Sequence, residues 1–167
     1  MSKLVAVAIA ASLVLIAPAA AQARPIGPDA AICENGRSAA VLVRVDGFKK
    51  RTGKLRVQIY GSNPDEFLAK GKWQKRVDLP VAESGPMEVC VGLPEAGNYA
   101  VAVRHDLDGN GKSGWSDGGG FSRNPKISLF DLKPKYAEVY IPVGNSVRPV
   151  DVILNYRSGL SIGPVRG

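Results

Sequence analysis

Histidine is nearly missing from this 167-residue chain: His105 is the single one, and only two cysteines, Cys33 and Cys90, accompany it. A zinc site made of His and Cys at short spacing is therefore not supported. A serine hydrolase of the nucleophile-elbow type needs a histidine after its serine, and His105 precedes the only serine in such a setting, Ser116. Long apolar runs are lacking too: the stretch from Leu4 to Ile16 spans thirteen residues, against the ~20 that a helix needs to cross a bilayer. Aromatic residues make up 7% of the chain, and Phe48 alone falls within its densest basic run. That argues against nucleic-acid recognition, which stacks bases on such rings. Internal repeats and low-complexity tracts are absent as well.

What is present begins with an address. Lys3, the apolar run and the small residues of Ala21-Gln22-Ala23 read as a secretory signal peptide over residues 1–23. Cleavage is expected after Ala23, with Ala21 as the alternative. A lipid anchor is disfavoured, because Ile32 stands before Cys33 where a small residue is required. Removing 23 of 167 residues leaves 144, enough for one domain with a continuous core. The mature chain keeps 21 basic and 15 acidic residues, a net charge of about +6. In an oxidising compartment, periplasmic or extracellular, the pair Cys33 and Cys90 reads as a disulfide. Closing a loop of that length stabilises the fold by about 4 kcal/mol in the chain-entropy model.

Beyond the leader the pattern has a period of two. Val41, Val43 and Val45 alternate with Leu42, Arg44 and Asp46, and a turn at 49–53 leads into Leu55, Val57 and Ile59. Similar runs occur at Val77-Leu79, Met87-Val89-Val91, Tyr99-Val101-Val103, Val139-Ile141-Val143 and Val150-Val152-Leu154, with Ile127-Leu129 as a weaker eighth. Seven or eight short strands at this spacing predict an all-β antiparallel sandwich over residues 24–157, immunoglobulin-like or transthyretin-like. One short helix is expected after the N-cap Asn63, with Pro64 at its first position and Gly71 just beyond. Trp73 reads as a core or lid aromatic. Cys90 has the parity opposite to Val89 and Val91, so its bridge is expected to clip the N-terminal segment across the outer surface of a sheet. Residues 158–167, rich in Gly and Pro, are expected to form a flexible tail.

The loop after Val103 carries the chemistry. With Asp106 as position one, Asp108 falls at three, Asn110 at five, Gly111 at six, the carbonyl of Lys112 at seven and Asp117 at twelve. This is the ligand order of a calcium loop without its flanking helices. The same stretch also reads Gly-x-Gly-x-x-Gly at 109–114 and Gly-x-Ser-x-Gly at 114–118. The first needs a helix start directly after it, which the turn residues from Ser113 to Gly120 do not provide. The calcium reading needs only oxygen ligands and a sharply turning backbone. Its competitor is an Asx-rich turn whose side chains cap their own backbone. Clustered carboxylates in an otherwise basic protein favour the ion. His105 lies in phase with Val101 and Val103, which predicts a ring at the core margin bonded to a loop group rather than an acid-base catalyst.

A second candidate is the basic run Arg44, Lys49, Lys50, Arg51, Lys54 and Arg56, expected at a hairpin tip and its flanking strands. Its alternative role is to bind an acidic cell-envelope component, a polyanion or glycan, with Trp115 as an exposed aromatic.

The run from Leu93 to Asp106, with Asp108-Gly109-Asn110-Gly111-Lys112 and then Gly120-Phe121-Ser122-Arg123-Asn124, resembles the bacterial domain-of-unknown-function family 2141 over about Ala39 to Tyr156. The resemblance implies an exported protein of one small β domain, without an assigned activity. After Lys112 this chain is shorter than the family's usual pattern, which often continues with another Asp. The expectation is thus an exported, non-enzymatic sandwich with a structural calcium loop.

Overall fold

The alternating valines become the interior of two stacked sheets. The computed structural model describes residues 24–165, so the leader expected over 1–23 lies outside the described residues. Strands β1 (Ala40–Asp46), β2 (Lys54–Tyr60), β3 (Lys75–Pro80), β4 (Met87–Gly92) and β5 (Gly97–Asp106) are followed by β6 (Gly118–Phe121), β7 (Ile141–Val143), β8 (Val147–Ile153), β9 (Asn155–Ser158) and β10 (Ser161–Pro164). The smaller sheet runs β4-β1-β8. The larger runs β10-β9-β6-β5-β2-β3, with β7 paired to the start of β5.

Among the named strands of the described residues every pairing is antiparallel except β1 with β8, which run parallel from Ala40↔Val147 to Asp46↔Ile153. The expected antiparallel sandwich therefore holds one parallel pair, which requires a long crossover through the other sheet. Val41, Val43, Val45, Val89, Val91 and Val152 meet Leu55, Val57, Ile59, Val101 and Leu154 between the layers, all almost fully buried. Tyr99 turns the corner into β5 by donating its hydroxyl proton to the Glu95 carbonyl at 2.9 Å, similar to a tyrosine corner.

Strand β6 was not anticipated, and its three glycines explain why. A Cβ on Gly120 would sit 2.7 Å from the Ile153 carbonyl oxygen, and one on Gly118 would run into the Tyr156 ring. The chain crosses from the small sheet to the large one between β8 and β9 at this place, and only bare backbone fits beneath it. The Gly-Phe-Ser-Arg-Asn run continues the same junction. Ser122 is buried, accepting from the Val101 N–H at 3.0 Å and donating to the Val139 carbonyl at 2.6 Å. Asn124 brackets β8 with its amide, donating to Asp151 O and accepting from Ile153 N.

On the outer face of the large sheet a second cluster forms. Ala100 and Ala102 are small enough to admit Phe67, Trp73 and Tyr136 from the flanking connections and Phe121 from the end of β6, with Val139 and Tyr60 buried among them. Trp73 is thus a lid aromatic, with the Arg76 guanidinium 5.6 Å from its ring. The expected helix after Asn63 is a single 3-10 turn, Pro64–Glu66, with the Asn63 side chain accepting from Asp65 N.

Several expectations give way. Val139 ends a short helix, α2 (Tyr136–Val139), and the strand starts at Ile141. Ile127-Leu129 forms no strand; only an isolated bridge joins Ser128 to Asp131. The segment expected to be a flexible tail instead holds β10, paired with β9 from Ser161↔Ser158 to Pro164↔Asn155.

The N-terminal segment is clipped as its cysteine parity implied. Helix α1 (Ala30–Asn35), which the sequence pattern did not announce, lies against β4. Cys33 is joined to Cys90, with Cα atoms 6.0 Å apart. Cys90 points away from the valine core yet is fully buried, because α1 covers it. Asp29 accepts from Gly92 N at 2.9 Å, and Ile26 adds a short bridge to the free edge of β4. No helix among the described residues is long and apolar enough to cross a membrane.

Candidate functional site

Strand β5 delivers His105 and Asp106 to one end of the sandwich, and alternation sends their side chains to opposite faces. His105 points inward and is fully buried. Its Nε2 lies 2.8 Å from the Thr52 carbonyl oxygen, and its Nδ1 lies 2.6 Å from the Tyr156 hydroxyl. A carbonyl only accepts, so Nε2 carries the proton and Nδ1 accepts from the tyrosine. Phe48 and Tyr156 meet the imidazole edge-on. Burial pushes the Tyr156 hydroxyl up to about 12. The ring is a core-margin hydrogen-bonding element, as its phase predicted.

Asp106 points to the outer face, and its side chain is only 3% exposed. Oδ2 accepts from Gly111 N at 2.8 Å and lies 3.4 Å from Nη2 of Arg104. Oδ1 is buried without a hydrogen-bond partner. Such an atom keeps its full desolvation cost unless something polar meets it.

The loop is drawn tight by its own side chains. Asp108 accepts from both the backbone N–H and the amide of Asn110, at 3.1 and 2.6 Å. Asn110 accepts from Lys112 N at 2.7 Å. Asp117 closes the loop, taking Leu107 N at 3.1 Å on one oxygen and Gly114 N at 2.8 Å on the other. Gly109 and Gly111 adopt φ of +70° and +79°, the left-handed turns that the ligand order requires.

The result brings Asp106, Asp108 and Asp117 together, with one carboxylate oxygen from each within 4.8 Å of the others. Oxygens on opposite sides of a calcium ion bound at ~2.4 Å stand ~4.8 Å apart, and the three spacings do not exceed that span. Asn110 lies beside Asp108 with its oxygen turned to Lys112 N. Lys112 is exposed and enters the loop's hydrogen bonding through its N–H.

Three residues outside the predicted ligands shape the loop. Arg104 straps it to the sheet, donating to Ser113 Oγ at 3.0 Å and to the Gly111 carbonyl at 3.1 Å, and supplies part of the countercharge for Asp106. Gly53, at φ +78°, sits so close beneath the Asp106 carbonyl that a Cβ there would collide with it. Thr52 completes this floor by donating to Leu107 O at 3.2 Å. Arg104 stands two residues before Asp106 and shares its outward parity, which was its only sequence signal.

The six basic residues do not form one surface. Arg44 is on the outer face of the small sheet, in register with Glu88 on one side and Asp151 on the other. Arg56 is on the outer face of the large sheet, bonded to Asp78 at 2.6 Å. Arg76 meets the other oxygen of Asp78 at 2.6 Å. Partial burial pushes the Asp78 carboxyl upward, but the hydrogen bonds and charges of Arg56 and Arg76 outweigh it and hold the group below the usual carboxylate range. Arg51 donates to Gly85 O at 2.7 Å and covers Phe48, leaving Arg44, Lys49, Lys50 and Lys54 as the exposed cations of the run, with Arg44 apart from the three lysines. The physical reason is parity: β1 and β2 belong to opposite sheets, so their outward arginines face apart. Trp115, 76% exposed at the far end of the acidic loop, has one ring face covered by the Arg157 guanidinium at 4.1 Å.

No curated protein matches this chain, and no solved structure does. Over residues 43–151, a span that runs from within β1 to within β8 and includes the acidic loop, the chain matches the model of DUF2141, described as an uncharacterized protein conserved in bacteria, and it belongs to that family.

Proposed function

We propose that this is an exported, non-enzymatic β-sandwich whose 106–117 loop binds a single calcium ion that holds the loop in shape. The observation that carries the reading is Asp106: its Oδ1 is a buried carboxylate oxygen with no hydrogen-bond partner, and one oxygen of the same carboxylate lies within 4.8 Å of one from Asp108 and one from Asp117. Three like charges this close repel one another, and Arg104 offsets one of them. A divalent cation would supply the remainder and meet the orphaned oxygen. Asp117 stands at the position where a longer Glu chelates with both oxygens, so the affinity expected is that of extracellular calcium modules, with Kd on the order of 0.1–1 mM.

Export is supported by the leader-like composition of residues 1–23 and by the buried cross-link between Cys33 and Cys90. The non-enzymatic reading is supported by His105, whose two ring nitrogens are engaged inside the fold and do not reach solvent. Calorimetric titration of calcium into the oxidised mature protein tests the proposal, with Asp106→Asn, Asp108→Asn as the double-variant control. Saturable binding by the native chain and none by the variant is expected; no heat from the native chain contradicts it.

A further inference from the structure

We propose that the cleft between the acidic loop and the β9–β10 hairpin binds a short-chain carboxylate, with its alkyl chain against Ile127, Leu129, Leu132 and Ile162 and its charged end on Arg157. The cleft has a volume of about 190 Å³, and Trp115 forms its rim. Ile127, Leu129 and Leu132 from the 127–132 connection and Ile162 from β10 supply the aliphatic part of its lining, beside Trp115, Phe121, Asn155 and Arg157. Leu132 is 50% exposed and its neighbour Phe130 fully so.

The occupant is argued from size and charge. An apolar cavity of ~150 Å³ accepts benzene, so this one takes a chain of about six carbons. Arg157 is held as a preset anion clamp: its Nε donates to Gly159 O at 2.8 Å, and its plane lies over Trp115. Among the described residues its two Nη groups have no hydrogen-bond partner, and that fork matches a carboxylate bidentately. Asp117 is the one acid that lines the cleft, and both its oxygens are taken by backbone N–H groups of the acidic loop.

The test is a two-dimensional amide NMR titration of the oxidised mature protein with hexanoate, hexan-1-ol and hexylamine, in calcium and separately in chelator. Hexanoate is expected to shift Trp115 and the residues around Ile127 and Ile162 saturably, with hexan-1-ol weaker and hexylamine without effect. Arg157→Gln is expected to weaken hexanoate about tenfold, the loss of one charge-assisted contact, while leaving hexan-1-ol unchanged, which also shows that the variant's cleft is intact. Leu132→Gln is expected to weaken both. Hexanoate binding in either buffer supports the cleft whatever the acidic loop does, so failure of the calcium reading is seen separately. Absence of saturable shifts in both buffers, shifts elsewhere on the fold, or equal hexanoate affinity in Arg157→Gln overturns the proposal.

Discussion

The Tyr156 hydroxyl donates its proton to Nδ1 of His105 across 2.6 Å, and the Thr52 carbonyl on the far side of the ring fixes the tautomer that makes this possible. The bond ties the turn after β1, the end of β5 and the crossing into β9 at one point beneath the acidic loop. Tyr156→Phe keeps the ring and leaves a buried nitrogen unpaired, so it should cost about 1–3 kcal/mol. Urea denaturation of the oxidised protein measures this. An unchanged midpoint would mean that the pair contributes nothing to the fold.

Alkaline pH probes the same group. Tyr156 holds its proton in the fold up to about 12, whereas in the unfolded chain it releases it near the ordinary value of about 10. The folded state therefore binds more protons between those limits. The contribution is fully present below about pH 10 and is lost as pH rises toward about 12, amounting to about 2–3 kcal/mol. Denaturation midpoints of native protein and Tyr156→Phe should converge over that window. Parallel pH dependence in the two would contradict the assignment.

Gly53 should be intolerant of any side chain. Its φ of +78° already disfavours one, and a Cβ would strike the Asp106 carbonyl. Gly53→Ala is expected to cost more than about 1 kcal/mol. By displacing Asp106 it should also weaken calcium binding. Calorimetric unfolding and titration of the variant check both; wild-type stability would show that the β1–β2 turn is free to move.

The cross-link between Cys33 and Cys90 spans 57 positions and holds α1 over β4. The double variant Cys33→Ser, Cys90→Ser should lose about 4 kcal/mol in the chain-entropy model. Protease sensitivity should appear first near α1. Alkylation of two thiols in native, unreduced protein would contradict the bridge.

Where a strand buries one face, its alternation was readable: β1, β2, β4 and β5 lie on the expected residues, as do the inward His105, the outward Cys90 and the converging Asp106, Asp108 and Asp117. Strand β6 was illegible because Gly118, Gly119 and Gly120 have no side chains to alternate, and their role is visible only from what a Cβ would strike. The parallel pairing of β1 with β8 is a partnership between distant segments, and no local pattern encodes it. Hairpin β9–β10 was missed because Ile162 is the only large apolar residue from Ser161 to Pro164, so the pattern read as a polar, Gly- and Pro-containing end. Charge along the chain also misled: Arg44 and Arg56 are near in sequence but belong to different sheets, and Asp78 occupies one of them.

The account rests on the 106–117 loop as an ion site, and a thermal melt of the oxidised mature protein in calcium, in magnesium and in chelator tests it most directly. An ion that binds only the folded state adds about 1.4 kcal/mol at tenfold excess over its Kd, or about 3–6 °C for a domain of this size. The predicted result is a rise of that order with calcium, a smaller one or none with magnesium, and no response to either in Asp106→Asn, Asp108→Asn. Superimposable melts of the native protein in calcium and chelator would contradict the account and leave the loop as a self-capped turn.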